Sequence, residues 1–281
     1  MNNSTLRTLY VSDLDGTLLN SQSILSSYTV NTINRLICSH KIMFTVATAR
    51  TPATVTTIMK DVNTTLPFIV ISGDAVWDNS CHDYVSAKTI QTAILSELLD
   101  VFAQHDINPF VYRRHGNQII VHHITTMTEQ ERNFIMPRIT TPYKTLVTED
   151  NVTADDEDAA MLLFAIGPFD RLRSLSDEID RRNIPCSYNC YHDIFDSQLG
   201  FLDLYTANTN KANAIKEMAD RLGANRIVVF GDNLNDIPMM RIADWSVAVD
   251  NAFDEVKQQA CEIIGNHDDD AVVKWIEKDL R

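Results

Sequence analysis

The segment from Leu9 to Leu18 most constrains the fold, because an apolar, strand-like run ends directly in two acidic residues. Asp13 and Asp15 are alternate residues, so in extended geometry both side chains project to the same side. Gly16 allows a sharp turn after them, and Thr17 adds a hydroxyl group beside the acids. Ligand sites of open α/β sheets lie at the carboxyl ends of the strands. The segment therefore predicts a strand end that binds a metal ion or a phosphate group.

The composition favours a folded protein in a reducing compartment. The 281 residues are 44% hydrophobic, enough to fill the core of one large domain or of two ordinary ones. A net charge of −14 disfavours a general nucleic-acid surface. No run reaches the roughly 20 apolar residues of a membrane helix, and Met1–Thr5 lacks the features of a signal peptide. The five scattered cysteines are typical of reduced thiols, so we predict a cytoplasmic protein with no evident nucleic-acid, membrane or protein partner.

Strand-like and helix-like patterns alternate at both ends of the chain, which is typical of a parallel sheet covered by helices. The predicted strands are Leu6–Val11, Ile42–Val46, Phe68–Ile71, Ile227–Phe230 and Ser246–Val249. The predicted helices are 26–39, one that begins at Pro52, Lys211–Leu222, a short one after Asp236 and one from about Asp269. We therefore predict an α/β core with a Rossmann-like, doubly wound parallel sheet built from residues 1–83 and 192–281.

The middle of the chain mixes hairpin and helix patterns and predicts an inserted α+β domain over residues 84–191. Its predicted elements are helices Thr92–Phe102 and Arg171–Ile179 and strands Pro109–Arg113, Gln118–His122, Met161–Ile166 and Cys186–Tyr191. The acidic run Asp155–Asp158 is interpreted as a solvated loop.

A second acidic cluster follows an apolar strand near the other end of the chain, in the segment from Gly231 to Asp236. If both strands belong to one parallel sheet, their carboxyl ends bring Asp13 and Asp232 together. Two unit charges 4 Å apart repel by about 4 kcal/mol at an effective dielectric constant near 20, so such a cluster requires a cation. Mg²⁺ fits best, because it binds through one or two carboxylates and shares phosphate oxygens. A calcium loop is excluded, since Leu18 and Ile24 stand where it needs glycine and glutamate.

Two further residues are candidate phosphate anchors. Thr48 follows the second predicted strand, where its hydroxyl and nearby backbone N–H groups can reach a phosphate. Lys211 opens a predicted helix, and its ammonium group would offset phosphate charge. The serine-hydrolase elbow and the P-loop patterns are absent from the sequence.

In this order, the four segments resemble the motifs of the haloacid dehalogenase-like phosphohydrolases. The segments are D-L-D-G-T at Asp13–Thr17, Thr48, Lys211 and G-D-N-L-N-D at Gly231–Asp236. The long insert resembles the Cof-type branch (subclass IIB), a group of sugar-phosphatase-like enzymes whose α+β cap covers the active site. Some loop positions depart from the family pattern, which indicates that local loop geometry and substrate preference differ here; they are Ala49, Ser72–Asp74, Ala212 and Asp250.

The resemblance implies a phosphatase with an aspartyl-phosphate intermediate. Asp13 would be the nucleophile, and Asp15 the general acid that later activates water as a base. Mg²⁺ would be held by Asp13, the Asp15 backbone carbonyl and Asp232, with Asp236 supporting the site from outside the ligand shell. The remaining motif residues would bind the transferring phosphoryl oxygens; they are Thr48, Lys211 and Asn235.

The resemblance also implies small phosphorylated metabolites, such as sugar phosphates, as substrates. Basic residues of the insert are candidates for substrate contact, although most of them are expected to be ordinary surface residues; they are Arg113, Arg114, His115, His122 and His123. Two alternatives stay open. A phosphotransferase or phosphomutase would pass the phosphoryl group to a sugar hydroxyl, and a metal-binding regulatory protein would keep the fold without turnover.

Overall fold

A computed structural model describes residues 6–39, 42–139, 142–154, 159–193 and 196–281. The chain divides into two compact units. The core unit comprises Met1–Ser86 and Asn210–Arg281, and the inserted unit comprises Ala87–Thr209. The segment Met1–Thr5 and the predicted loop Asp155–Asp158 lie outside the described residues. Among the described helices, none is both long enough and apolar enough to cross a bilayer.

In the described residues of its first part, the core unit contains five strands and two α-helices. They are β1 (Thr8–Ser12), α1 (Ser27–Cys38), β2 (Met43–Val46), α2 (Pro52–Ile58), β3 (Phe68–Val70), β4 (Ala75–Asp78) and β5 (Asp83–Ala87). Helix α1 begins where predicted, because the Ser26 hydroxyl accepts a hydrogen bond from the Thr29 N–H at 3.0 Å. Strands β3, β4 and β5 form a small sheet of their own, which the sequence analysis missed beyond β3.

Within the residues that the structure describes, the inserted unit contains three α-helices and six strands. They are α3 (Thr92–Gln104), β6 (Phe110–His115), β7 (Gln118–Ile124), α4 (Glu129–Ile135), β8 (Lys144–Glu149), β9 (Ala159–Pro168), α5 (Phe169–Arg182), β10 (Cys186–His192) and β11 (Leu199–Thr206). The strands form one sheet in the order β10-β11-β9-β6-β7-β8. Helices α3 and α5 cover one face of it with an apolar core that includes Leu163, Leu175 and Leu202.

The bounds of the inserted unit differ from those predicted. Residues 192–209, which the sequence analysis placed in the core, belong to the inserted unit because β11 pairs antiparallel with both β10 and β9. At the other end the unit begins at Ala87 instead of residue 84. The apolar run before Lys211 is typical of a strand but does not reveal which sheet the strand joins.

The last part of the core unit returns to the main sheet. Its elements are α6 (Lys211–Leu222), β12 (Arg226–Gly231), α7 (Ile237–Ile242), β13 (Trp245–Ala248), α8 (Asp254–Gln259), β14 (Glu262–Ile263) and α9 (Ala271–Asp279).

The main sheet joins the two ends of the chain. Its strand order is β14-β13-β12-β1-β2, and every pair in it is parallel. Strand β1 lies between β2 and β12, in a register that sets Ser12 beside Phe230. The predicted α/β class with a parallel sheet core is confirmed. Because the strands are parallel and in register, the loops after β1 and β12 leave the sheet side by side.

Candidate active site

The loops after β1 and β12 place Asp13 and Asp232 at one edge of the sheet. The Asp13 N–H donates to the Phe230 carbonyl at 2.9 Å, which continues the strand pairing to the first acid. In the β1 loop, Thr17 Oγ1 donates to Asp232 Oδ1 at 2.8 Å. Gly16 has a φ of 73°, and a Cβ on it would lie 2.5 Å from Asp232 Oδ2. Glycine is therefore required here both for backbone conformation and for room beside the carboxylate.

Lys211 enters the same cluster from the first turn of α6. Asn210 caps this helix by accepting from the Asn213 N–H at 3.1 Å. The Lys211 side chain is buried, and its Nζ donates to Asp13 Oδ1 at 2.5 Å and to Asp236 Oδ1 at 2.7 Å. The structure thus brings together Lys211 and the two acidic motifs, as the sequence analysis expected from three separate segments.

Asp236 holds the β12 loop in place. Its Oδ2 accepts from the backbone N–H groups of Asp232 at 3.0 Å and Asn233 at 3.1 Å. Gly231 packs against it so closely that a Cβ would lie 2.6 Å from Oδ2. Since Lys211 occupies the other oxygen, both oxygens of Asp236 are engaged by protein donors. This arrangement fits a supporting role for Asp236.

Three carboxylates share this cluster with one ammonium group. Ligand atoms of Asp13, Asp232 and Asp236 all lie within 4.8 Å of one another. Burial and the neighbouring carboxylates raise the pKa of Asp13 well above its ordinary value, although Lys211 lowers it. Burial and Asp236 raise the pKa of Asp232 to about 6. Burial would lower the pKa of Lys211, but Asp13 and Asp236 outweigh burial and raise it. The cluster therefore carries excess negative charge that a divalent cation would balance.

Asp15 lies outside this cluster and pairs with Arg50. Arg50 Nε donates to Asp15 Oδ2 at 2.7 Å and Nη2 donates to Oδ1 at 2.6 Å, a two-point contact. Half of the Asp15 side chain is exposed, at 51%. Arg50 lies two residues after Thr48 and was not among the predicted site residues. The signal in the sequence that could have assigned Arg50 a role was its position shortly after β2, close to the phosphate-anchor candidate Thr48.

Thr48 and Asn235 occupy the two flanking loops. Thr48 is buried at the end of β2, where its hydroxyl accepts from the Arg50 N–H at 3.1 Å. Its carbonyl accepts from Ser72, in a loop where Ile71 and Ser72 both have positive φ. A β-branched residue such as Ile71 rarely adopts this conformation, so the loop is strained. Asn235 is half-buried in the turn between Asp232 and Asp236.

The basic candidates of the inserted unit are mostly structural there. Arg113 is buried and donates to the Thr153 carbonyl. His122 contacts Glu149. His123 is fully buried, stacks on Phe110 with ring centroids 4.0 Å apart, and lies 3.7 Å from Glu131. Of the five candidates, His115 is exposed and Arg114 and His122 are half-buried, so the expectation of ordinary surface residues was wrong for the buried Arg113 and His123.

Comparison with known proteins decides the family. The model of the haloacid dehalogenase-like hydrolases matches residues 10–276. The chain belongs to the haloacid dehalogenase-like hydrolases. It is 25% identical over 270 residues to a putative phosphatase of Haemophilus influenzae, covering 95% of this chain and 96% of the relative. The predicted resemblance and the predicted enzyme class, a phosphatase of this family, are confirmed.

Two further comparisons extend over nearly the whole chain. The 5-amino-6-(5-phospho-D-ribitylamino)uracil phosphatase YwtE of Bacillus subtilis is 23% identical over 285 residues, covering 95% of this chain and 96% of the relative. A crystal structure of a haloacid dehalogenase-like hydrolase from Bacteroides thetaiotaomicron has a TM-score of 0.76 and 20% identity, covering 97% of this chain and 99% of the other. The structural likeness confirms the predicted fold class.

Proposed function

We propose that this hydrolase is a Mg²⁺-dependent phosphatase that cleaves small phosphorylated metabolites through an aspartyl-phosphate on Asp13. The observation that carries the proposal is the buried cluster of three carboxylates and one lysine where β1 and β12 end. A cluster with this charge suits a metal ion and the oxygens of a phosphate monoester.

Asp13 is the proposed nucleophile. Lys211 occupies its Oδ1, so Oδ2 is the oxygen assigned to attack phosphorus. A nucleophilic carboxylate must be ionised, and burial opposes ionisation here. Lys211 favours the ionised form, and a cation beside Asp232 would favour it further. Lys211 would then also contact the phosphoryl oxygens, together with Thr48 and Asn235.

Asp15 is the proposed general acid and base. In this structure both of its carboxylate oxygens accept hydrogen bonds from Arg50. Donation of a proton to the leaving alcohol requires this pair to open. We therefore assign Arg50 a positioning role, in which it orients Asp15 between the two half-reactions.

The proposed metal site consists of Asp13, Asp232 and the Asp15 backbone carbonyl, with Asp236 supporting it. When bound, Mg²⁺ would neutralise charge and polarise the phosphoryl group. The hydrogen bond from Thr17 fixes the Asp232 carboxylate, and Lys211 and two backbone N–H groups fix Asp236. These contacts fix the orientation of the carboxylates that would hold and support the metal ion.

Sugar phosphates are the proposed substrate class, and cytoplasmic location stays a prediction. The Bacillus subtilis relative is named for a substrate whose phosphate is carried by a ribityl group, so polyol phosphates belong in the same screen. Comparing the amount of inorganic phosphate released with the amount of isomer formed separates hydrolysis from the phosphotransferase alternative. A screen of phosphorylated metabolites at fixed Mg²⁺ measures both products.

The Asp13→Asn variant tests the nucleophile. We expect turnover of an aryl phosphate to fall to background, because the amide cannot form the phospho-enzyme. Asp220→Asn is the matched control, since Asp220 is exposed on the same helix as Lys211. Circular dichroism checks that both variants fold. Substantial turnover by folded Asp13→Asn would remove Asp13 from this role.

Chelation tests the metal. We expect excess chelator to abolish activity and added Mg²⁺ to restore it, since the acidic cluster needs a cation. Direct titration of the protein with Mg²⁺ by calorimetry should show binding that Asp232→Asn weakens. Full activity in excess chelator would contradict the assignment.

A further inference from the structure

The loop after β1 carries Asp13 and Asp15 and turns at Gly16. The Leu19 N–H donates to the Leu14 carbonyl at 2.9 Å, which closes the turn. Gly16 lies inside the turn at φ 73° and ψ 0°. Because glycine has more backbone freedom than any other residue, the direction of its carbonyl depends on contacts from elsewhere in the fold.

Asn251, in the loop after β13, supplies such a contact from 235 positions away in the sequence. Its Nδ2 donates to the Gly16 carbonyl at 2.7 Å, and its Oδ1 accepts from the His267 N–H at 3.1 Å. A backbone carbonyl only accepts and a backbone N–H only donates, so the two contacts fix which end of the amide faces which partner. The Asn251 side chain therefore has one defined orientation against the loop.

The loop after β13 also bonds to the second acidic motif. Two residues after Asn251, the Phe253 N–H donates to the Asp232 carbonyl at 3.0 Å. This short segment therefore bonds to the loop that carries Asp13 and to the loop that carries Asp232. It joins the two loops through their backbones, whereas Thr17 joins them through the Asp232 side chain.

His267 holds the far end of the β1 loop. Its Nδ1 lies 2.7 Å from the Leu19 carbonyl, and since this carbonyl only accepts, Nδ1 carries the proton. The imidazole is mostly buried, with 15% of the side chain exposed. The next residue, Asp268, accepts from the Ser21 N–H at 2.7 Å and from the Ser21 hydroxyl at 2.5 Å. The β1 loop is thus bonded to the 267–268 segment at and just after its end.

We propose that Asn251 and His267 are positioning residues for the nucleophile loop, and we refer to them as the loop-holding pair. Both side chains donate to backbone carbonyls of the loop, at Gly16 and Leu19, so they act through its conformation. By fixing these carbonyls they set the direction in which Asp13 and Asp15 point. The inference rests on the proposed function and deepens it, because it adds two residues from outside the four motif segments.

Asn251→Ala and Asn251→Asp test the contact to Gly16. Aspartate keeps the size of the side chain and removes the donor, so it covers the case in which alanine perturbs folding. We expect kcat for an aryl phosphate to fall by about 10- to 100-fold, because a nucleophile displaced by a fraction of an ångström reacts more slowly. KM should stay within about twofold, since the loop-holding pair bonds to the loop and not to the substrate.

His267→Asn and His267→Gln separate the hydrogen bond to Leu19 from the imidazole ring. The amide nitrogen of asparagine reaches the position of Nδ1, whereas that of glutamine reaches the position of Nε2. We expect His267→Asn to keep kcat within about twofold of the wild type and His267→Gln to lose about fivefold, the factor for one neutral hydrogen bond. Equal kcat values for the two variants would remove His267 from the pair.

Amide hydrogen exchange of the full chain in excess chelator gives a readout that needs no turnover. We expect peptides that cover Asp13–Leu19 to exchange about fivefold faster in Asn251→Ala than in the wild type, because one hydrogen bond to the loop is lost. Asn225→Ala is the matched control. Asn225 Oδ1 accepts from the Arg7 N–H at 2.8 Å, so it also joins distant segments, but at the opposite end of β1. This variant should leave both kcat and exchange in Asp13–Leu19 unchanged.

The two readouts separate failure of this inference from failure of the proposed function. Wild-type kcat and wild-type exchange in the folded Asn251 variants would overturn the role of the loop-holding pair. Faster exchange with wild-type kcat would also overturn it, because the loop would then move without displacing the acids. A wild type without phosphatase activity would overturn the proposed function instead, and faster exchange in Asn251→Ala would still support the hold on the loop.

Discussion

Replacing Lys211 with methionine removes the ammonium group that separates the buried carboxylates. Methionine is similar in length and apolar, so the change deletes charge more than volume. Asp13 and Asp236 then face each other without their shared donor, which sits 2.5 and 2.7 Å from them in the wild type. Breaking a buried pair by removing one partner costs about 3–5 kcal/mol. We therefore expect the free energy of unfolding of the core unit to fall by about 3–5 kcal/mol at pH 8.

The loss should depend on pH in a defined direction. Lys211 lowers the pKa of Asp13, so the variant raises that pKa further above the unfolded value. A carboxyl group with a raised folded pKa contributes stability that is present at low pH and lost as pH rises. The deficit relative to wild type should therefore be smallest near pH 5 and grow toward pH 8. Mg²⁺ should recover part of it at pH 8 by replacing the missing cation.

Tryptophan fluorescence during urea unfolding measures this deficit in the core unit alone. All three tryptophans, Trp77, Trp245 and Trp275, lie in that unit. Lys216→Met is the matched control, because Lys216 is exposed on the same helix and should change stability little. A deficit below about 1 kcal/mol that does not vary with pH would refute the reasoning, since the acids would then need no cation.

Two further predictions concern Gly16 and Asp203. Gly16→Ala should lower kcat/KM by at least about tenfold and lower the free energy of unfolding of the core unit by more than about 1 kcal/mol, because the new Cβ meets Asp232 and φ is positive. Steady-state kinetics measures the first effect and urea unfolding the second. Wild-type values in both assays would contradict the close contact. Burial raises the pKa of Asp203 in the folded protein to about 7, so its charged form is disfavoured there. As pH rises from about 4 to about 7, the free energy of unfolding of Asp203→Asn should therefore increase relative to that of the wild type, by up to about 4 kcal/mol. Urea unfolding followed by circular dichroism measures this difference, and a difference that does not change with pH would contradict the burial of this carboxyl group.

The core unit was largely predictable because its strands are short, apolar and separated by helices with clear starts. Ser26 and Pro52 begin helices α1 and α2 where predicted, and α6 has the bounds predicted for it. The pairing of β1 with β12 was predictable from acids that follow both strands. The strands β4 and β5 were missed because polar residues interrupt their alternation.

The residues that form the candidate site were easier to predict from the sequence than the contacts between them. Spacing and residue type indicate that Asp13, Lys211 and Asp232 meet, but they do not show the two-point contact between Arg50 and Asp15. That contact depends on side-chain conformations that no periodicity encodes. The membership of β11 in the inserted sheet also depends on long-range pairing, which a local apolar pattern cannot specify.

Strand β1 lies between β2 and β12, which come from distant parts of the chain. This arrangement determines the order in which the two sheets can form during synthesis. The inserted unit is one continuous segment, so all its sheet partners have emerged from the ribosome once Thr209 has. The core sheet cannot close until β12 follows, and until then β1 has an unpaired edge. Nascent chains that stop before Gly231 would thus expose this apolar edge and form no catalytic cluster, which makes them natural clients for chaperones.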